Sequence, residues 1–598
     1  MAYSQNFPAQ RPSFMFDAAN SGRIPPNATF SRSDSPIDAS KAAASAVHFW
    51  SNEKHLSSEN LLLDSKTGTG NWTALNVGGA ALPAVTADHA APPSGGANAA
   101  TRVQLDLSGG TASGDIAMYY QNRSVASGTS ATYSVWLKAT DGTSTYAAQI
   151  IGANGADSDV TITGSWQKFT VTGTSGGAND SYGVRLRGSQ TPTNADTADI
   201  LMWGANLSTT GETVLNATTT QIHREYAPTL KSVATAGQAR FEYDPTDGQS
   251  AGTSLGISIE SQSTNLVTYS SDITQSFFTG FRSTQESNVG IAPDGTLTAD
   301  LLREDSTSNN SHGVFFEYAS GGTTAQTISV YAKAAGRNHL SFRFDSTNGV
   351  FGSDFVYFNL STGAVGTTDS DITASIESCG NGWYRCIATR TALASANGRI
   401  VLYLADADNS TSYDGDSYSG VLLWGIQAEA NSSHASSLIA TSGASATRAA
   451  DSLSMTDASL FNTGTGGLVV EAVVKSLNDG VAAWLGTDGN NYHQVGQFGS
   501  TTYPLISKAD GVASAVLSSA AVSTGAAHKV AASWDTNDFA GCVDGGTVVT
   551  DTSGTLPAVN KLTVGNYNAA AAWLDGHVKR VALYSEALTD TNLQALTS

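Results

Sequence analysis

Residues Thr132–Ala139 read TYSVWLKA, and residues Thr327–Ala334 read TISVYAKA. In both stretches apolar and polar side chains alternate with a period of two, the signature of a half-buried β-strand. Trp136 of the first stands where Tyr331 stands in the second. The surroundings repeat as well. Upstream lie ENLLLDS from Glu59 and TNLVTYS from Thr264. Downstream, GSWQKFTVTGT from Gly164 matches NGWYRCIATRT from Asn381, which sets Trp166 against Trp383. DILMWGANL then matches GVLLWGIQA, which sets Trp203 against Trp424. Four landmarks in one order, twice over, mark an internal duplication.

The last pair of landmarks is continuously apolar, as suits a strand buried on both faces in the middle of a sheet. The runs between landmarks, such as GGTASG, GANGADSD and ADADNSTSYDGDSYSG, are rich in the Gly, Asn, Asp and Ser of turns. Sustained helical periodicity is absent. Each copy has roughly the 150 residues of one domain and reads as an antiparallel jelly-roll sandwich. The aromatic residues at matching points read as shared core packing rather than shared ligand contacts.

From residue 456 a new pattern begins: GGLVVEAVVKS, AHKVAASWDTNDFAGCVDGGTVV, KLTVGNY and WLDGHVKRVALYSEALTDTNLQALTS. It predicts a third sandwich, with VDGG and LDGH at hairpin turns and Thr589 capping a short final helix. The expected division is an N-terminal arm (1–58), a first jelly roll (59–209), a linker arm (210–263), a second jelly roll (264–430), a linker (431–455) and a last sandwich (456–598). The arms carry turn signals such as RIPPN, HREYAPT and YDPTDGQ, and read as extended segments that pack on neighbours.

Composition narrows the function classes. The 598 residues carry 30 Lys plus Arg against 51 Asp plus Glu, a formal net charge of -21. That field repels phosphate backbones, so no nucleic-acid partner is expected. Cys379, Cys386 and Cys542 are too few for a disulfide scaffold and read as core thiols. The leading MAYSQNFPAQRPSFMF has no basic start followed by an apolar run, and nowhere do eighteen apolar residues follow one another. Neither a secretory signal nor a spanning helix is expected.

Residues Ala239–Leu266, ARFEYDPTDGQSAGTSLGISIESQSTNL, resemble a segment that recurs in tailed-phage virion proteins. GNGWYRC, LLWGIQAE and ATRAAD from Ala446 resemble the carbohydrate-binding-module-like jelly roll that follows it there, over residues 220–455. The first copy departs from this pattern: ILMWGANLS lacks the acidic residue after WG-x-Q, and TGSWQK replaces GNGWYR. The C-terminal segment, on VDGG and LDGHVKRVALY, is similar to concanavalin A-like, laminin-G-type sandwiches. The resemblance thus implies an all-β chain of two repeated antiparallel jelly-roll sandwiches plus a C-terminal concanavalin A-like sandwich, joined by extended arms. It also implies a structural virion component, made in the host cytoplasm and exposed on the particle surface. That component would be a tail fibre, or else a head decoration or head fibre. Its partners would be other virion proteins through the N-terminal arm, a host surface glycan, and further copies of itself, a trimer being usual for a tail fibre. No heptads for a coiled-coil shaft are present, which keeps head attachment in contention.

No catalytic apparatus is legible, so the chain is expected not to be an enzyme. Glycoside hydrolysis needs two carboxyl groups across a cleft, whereas the strand EAVVKS offers Glu471 alone. The G-x-S-x-G strings at Gly173–Gly177 and Gly252–Gly256 do not lead from a strand into a helical pattern, so no nucleophile elbow is legible. Phosphate-loop and H-E-x-x-H patterns are missing, and the ten histidines, His493 and His528 included, are scattered. A polysaccharide depolymerase would need the paired acids, and a bacterial surface adhesin an export signal. Two binding expectations remain. Asp406, Asp408, Asp414 and Asp416 crowd one loop, as calcium ligands do, although the EF-hand glycine is missing. Asp488, Asn490, Asn491 and Tyr492, with Asn566 and Tyr567, offer aromatic rings beside fixed hydrogen-bonding groups, as a glycan site requires. No other cofactor is implied.

Overall fold

The computed structural model describes residues 12–21, 23–25, 27–32, 47–64, 70–93, 99–177, 179–189, 194–209, 223–233, 238–246, 253–461, 464–569 and 571–598. Nearly all regular structure is antiparallel strand. No helix among the described residues is long and apolar enough to cross a membrane.

Each repeat copy is a pair of sheets, five strands each in the first copy and six each in the second. The landmarks fall in equivalent places. Gln167–Thr174, Ser130–Ala139, Thr197–Ser208, Ala100–Asp106 and Ala81–Ala90 are neighbours in that order in the first copy. Trp383–Thr391, Ala325–Ala335, Gly420–Ala430, Ala299–Glu304 and Ser283–Gly290 are their counterparts in the second. Tyr133, Val135 and Leu137 point into the first core and Ile328, Val330 and Ala332 into the second. Period-two alternation then turns Trp136 and Tyr331 outward. Trp203 lies opposite Trp136, and Trp424 opposite Tyr331. The landmark tryptophans therefore do not fill the space between the sheets. Trp136 and Trp203 belong to one small cluster, and Tyr331, Trp383 and Trp424 to another, on the outer sheet faces. Trp203 and Trp424 are nonetheless 5% and 3% exposed.

The Trp-Gly and Asn-Leu landmarks form one device. Gly204 and Gly425 adopt φ of +61° and +60°, a left-handed conformation that suits glycine, and both strands bulge just after the tryptophan. An asparagine plugs each bulge. Asn60 donates to the Ala205 carbonyl (3.0 Å) and accepts from the amides of Leu62 (3.1 Å) and Leu207 (3.2 Å). Asn265 repeats this on Ile426 O (3.1 Å), Val267 N (3.1 Å) and Ala428 N (3.2 Å), and adds Ile439 O (2.9 Å). Both asparagines are fully buried, so truncation strands backbone groups away from water. Asn265→Ala is expected to lower unfolding free energy by about 3 kcal/mol, read by denaturant titration.

The expectation for the arms needs correction. Phe14–Asp17 pairs antiparallel with one half of Gly576–Tyr584, from Phe14 opposite Leu583 to Asp17 opposite Arg580. Ser254–Ile259 pairs with the other half, Ile257 opposite Val578, and Phe241–Tyr243 extends that sheet. Ala28–Arg32 pairs with Asp451–Met455 in the facing sheet. The C-terminal sandwich, with sheets of eight and seven strands, is thus assembled from residues 14–32, 241–259 and 451–598. The reason is burial: Phe16, Phe30, Ile257 and Ile259 enter the same core as Leu468, Val578 and Val581. The first jelly roll is inserted in the chain between residues 32 and 241, and the second between 259 and 451. Among the described residues of the expected arms, Val47–Asn60 and His223–Val233 form an extended arm, a two-stranded ribbon. It lies on the second jelly roll, with Leu230 N donating to Pro293 O (2.8 Å) and Trp50 edge-on to Tyr331 at 6.4 Å.

VDGG makes the expected turn, with positive φ at Asp544 and Gly545. LDGH does not join paired neighbours: it carries the chain from Lys561–Val564 in one sheet to Gly576–Tyr584 in the other. Thr589 caps the final helix, Asp590–Thr597, accepting from Asn592 N. All three cysteines are free and buried.

An ionic hub ties the linker to the base. Arg240 is completely buried and contacts Glu260 (2.8 Å), Asp451 and Ser437 Oγ (2.8 Å). Arg448 donates to the carbonyls of Ser261 (2.6 Å) and Ala449 (3.2 Å) and lies 3.6 Å from Glu260. His577 pairs with Glu242 close by. Burial alone would raise the Glu242 carboxyl, but His577, Lys475 and Arg240 hold it down at about 2. Burial likewise opposes ionisation of Glu260, and Arg448, Arg240 and Lys475 keep it well below 4.5. Such carboxylates stabilise the fold above their ordinary value and lose that contribution as pH falls through the folded value, here from 4.5 to about 2. His493, stacked on Trp534 at 4.2 Å, is pushed by burial down to about 3. The unfolded chain takes up the proton that this folded histidine refuses, so stability also declines as pH drops from 6.5 toward about 3. Melting temperature is expected to fall with pH in both windows. His493→Phe should flatten the profile between 6.5 and 4.5.

Candidate functional site

The glycan-site residues expected from the sequence gather at one end of the C-terminal sandwich, in unequal roles. Gly480–Asp488 turns into Asn491–Phe498. The Asp488 carboxylate fixes the turn by accepting from the amides of Asn490 (2.7 Å) and Asn491 (3.0 Å). Asn491 Oδ1 accepts from Asp510 N (3.0 Å), and Asn490 O from Gly511 N (3.0 Å), so the neighbouring turn is locked alongside. Tyr492 lies opposite Gly486, which has no side chain to obstruct it. Its ring meets Tyr567 edge-on at 5.4 Å, and both rest near the buried Trp484, at 6.2 and 5.9 Å.

Tyr492 and Tyr567 are half-buried and Asn490 is exposed. Burial, with Tyr567 beside it, pushes the Tyr492 phenol up to about 12, so it remains a neutral hydroxyl at physiological pH. Asn566 is completely buried. Its side chain accepts from Ala569 N (2.7 Å) and donates to Asp451 O (3.4 Å), shaping the turn from beneath. Asn568, which sequence reading passed over, accepts from Lys561 Nζ (3.3 Å) next to Tyr567. Its signal was the second amide in NYN on a turn. The surface that results has two phenol rings on a rigid floor, flanked by amides, able to stack on an apolar ring face and bond to hydroxyls.

The acidic loop does not converge. Asp408 accepts from Thr367 N (2.8 Å) and its hydroxyl (2.9 Å), and Asp414 from Asn309 N (2.7 Å). Asp416 accepts from Tyr418 N (2.9 Å) and Ser419 N (2.7 Å), and Asp406 is exposed. Three of the four carboxylates thus cap different backbone amides. Among the described residues no three His, Cys, Asp or Glu side chains are placed to hold a metal ion, which removes the basis for the calcium expectation. Glu471 is paired with Arg580 (2.9 Å) and lies 3.6 Å from Lys579. His528 contacts Asp544 (2.7 Å).

No family model matches the chain, and no curated protein sequence does. Among solved structures, the CBM40 domain of the Ruminococcus gnavus IT-sialidase, bound to α2,3-sialyllactose, is similar over 23% of this chain and 84% of that one. The identity is 18% and the TM-score 0.20. The tandem CBM22-1–CBM22-2 domain of Paenibacillus barcinonensis Xyn10C is similar over 63% and 99%, at 13% identity and a TM-score of 0.20. The Trypanosoma rangeli sialidase, in complex with the inhibitor DANA, is similar over 90% and 94%, at 10% identity and a TM-score of 0.19. At these TM-scores the likenesses carry no argument, and the fold rests on the strand order and registers above.

Proposed function

We propose that the chain is a non-enzymatic structural component of a tailed-phage particle, a fibre or surface appendage that presents glycan-binding domains to the host. The motifs that resemble virion proteins support this reading, and so does their place in the molecule: Arg240, Glu260, Arg448 and Asp451 hold the parts together as a scaffold would. The observation that carries glycan binding is the Tyr492–Tyr567 pair, edge-to-face and half-buried beside Asn490. A head decoration or head fibre is the second reading. It is favoured because the helices among the described residues, Ala18–Ser21 and Asp590–Thr597, are too short for a coiled-coil shaft. Phe14–Asp17 and Ala28–Arg32 are each paired on one side within the chain, and docking on other virion proteins through the N-terminal part belongs to this proposal. Assembly as a homo-oligomer, a trimer if the appendage is a tail fibre, belongs to the same proposal.

The test is a glycan array probed with the full-length chain and with the Tyr492→Ala/Tyr567→Ala double variant. Loss of two stacking rings is expected to weaken binding at least about tenfold, roughly 1.4 kcal/mol or more, with unchanged strand content by circular dichroism. Retention of every glycan by the double variant would remove the site. Gold-labelled antibody on intact particles, found on neither tail nor head, would remove the virion assignment.

A further inference from the structure

The landmark strands of the two repeat copies correspond, which makes each a control for the other. In the second copy the outer aromatic face is closed. Trp50 and Leu230 of the ribbon cover it, Trp424 Nε1 donates to Thr298 Oγ1 (3.1 Å), and Trp383 Nε1 donates to Ile291 O (3.2 Å). In the first copy the same face is unfinished. Trp203, the counterpart of Trp424, and Trp136, the counterpart of Tyr331, have buried indole N–H groups with no acceptor among the described residues. Trp166 is half-exposed, whereas its counterpart Trp383 is 2% exposed.

Among the described residues no ribbon lies on this face. Instead it opens on a cleft of about 420 Å³ between the two jelly rolls, within the range of about 300–1,000 Å³ typical of ligand pockets. One wall is Trp136, Trp166 and Lys168, the lysine directly opposite Trp136 in the strand register. The other wall is Tyr418, edge-on to Trp136 at 6.1 Å, with Glu286 and Arg303. Arg303 is fixed in place, donating from Nε to Glu286 (2.6 Å) and from Nη1 to the Ser417 carbonyl (2.5 Å).

We infer that this cleft is a second saccharide-binding site, formed jointly by the two jelly rolls and separate from the Tyr492–Tyr567 surface. A sugar ring presents an apolar face and a rim of hydroxyls that both donate and accept. The cleft presents indole and phenol surface together with a carboxylate that accepts and cationic groups that donate. The duplication shows that such a face is completed when something covers its aromatic residues. In the first copy no described residue completes the face over Trp166, and a saccharide would do so.

The experiment uses the full-length chain on an array of neutral and acidic oligosaccharides. It is followed by titration calorimetry and tryptophan fluorescence with the saccharide retained most strongly by the Tyr492→Ala/Tyr567→Ala variant. Trp166→Ala and the steric block Thr170→Trp, an exposed position lining the cleft, are each expected to weaken that saccharide at least tenfold. Unfolding temperature should not change, and wild-type binding should alter tryptophan emission. Undiminished affinity in both cleft variants would overturn the site. So would binding that vanishes entirely with the tyrosines, which leaves the first glycan reading standing. Binding that survives the tyrosine substitutions but fails with Trp166→Ala supports the cleft, and the tyrosine surface then stands or falls on whether the double variant loses any other glycan. A chain that retains no saccharide at all overturns both. Displacement of tryptophan emission by peptides alone would reassign the cleft to a protein partner.

Discussion

Replacing Arg240 with alanine is expected to destabilise the chain by about 3–5 kcal/mol, because it leaves buried carboxylates without their counter-charge. Arg240 is wholly buried, Glu260 is 1% exposed and Asp451 fully enclosed. Arg448 remains near both acids, 3.6 Å from Glu260 and 3.7 Å from Asp451, and Lys475 lies 3.8 Å from Glu260; they soften the loss without replacing the direct hydrogen bonds from Arg240. The backbone compounds the effect, since Asp451 also accepts from Glu260 N (3.0 Å) and its carbonyl from Trp573 Nε1 (2.8 Å). Denaturant titration of Arg240→Ala against the wild type reads the difference. A change below about 1 kcal/mol, the size of a surface pair, would mean that the hub is solvated.

The second large effect concerns residues 456–598 expressed alone, which are expected not to fold cooperatively. That fragment lacks Phe14–Asp17, Ala28–Arg32, Ser254–Ile259 and Asp451–Met455. With them go Phe16, Phe30, Ile257, Ile259, Leu453 and Met455 from the shared core. At about 1.5–3 kcal/mol for each large apolar side chain buried, the deficit is on the order of 10 kcal/mol, comparable to the whole stability of an ordinary domain. It also strips both partners from one side of Gly576–Tyr584 and exposes an apolar edge. A sharp two-state melt from the fragment would show that its core is sufficient. The glycan arrays above accordingly use the full chain.

What the sequence revealed tracks how local the signal is. The strands around Trp136, Tyr331, Trp203 and Trp424 were legible because alternation or a continuous apolar run extends over six or more residues in each. Their facing was misjudged, because a strand buried on both sides does not say which side meets the partner sheet. Asn60 and Trp203 were both visible as landmarks, but nothing local says that one plugs the bulge beside the other. Phe14–Asp17 and Ala28–Arg32 hold four and five residues, too few to establish a period, and their partners lie at the far end of the chain. Arg240, Glu260, Arg448 and Asp451 look like ordinary surface charges until sheet assembly brings them together. The acidic loop shows the converse: closeness in sequence placed Asp408 and Asp414 on different neighbours. At the glycan surface, Tyr492 and Tyr567 meet as their loops suggested, while Asn566 is drawn inward by Ala569 and Asp451.

Hydrogen–deuterium exchange on the intact chain tests the nested base most directly. Peptides spanning Phe14–Asp17 and Ala28–Arg32 should exchange as slowly as those spanning Gly576–Tyr584 and Asp451–Met455, since they share the same ladders. Complete exchange of the two N-terminal peptides within seconds, while the C-terminal strands stay protected, would contradict the account.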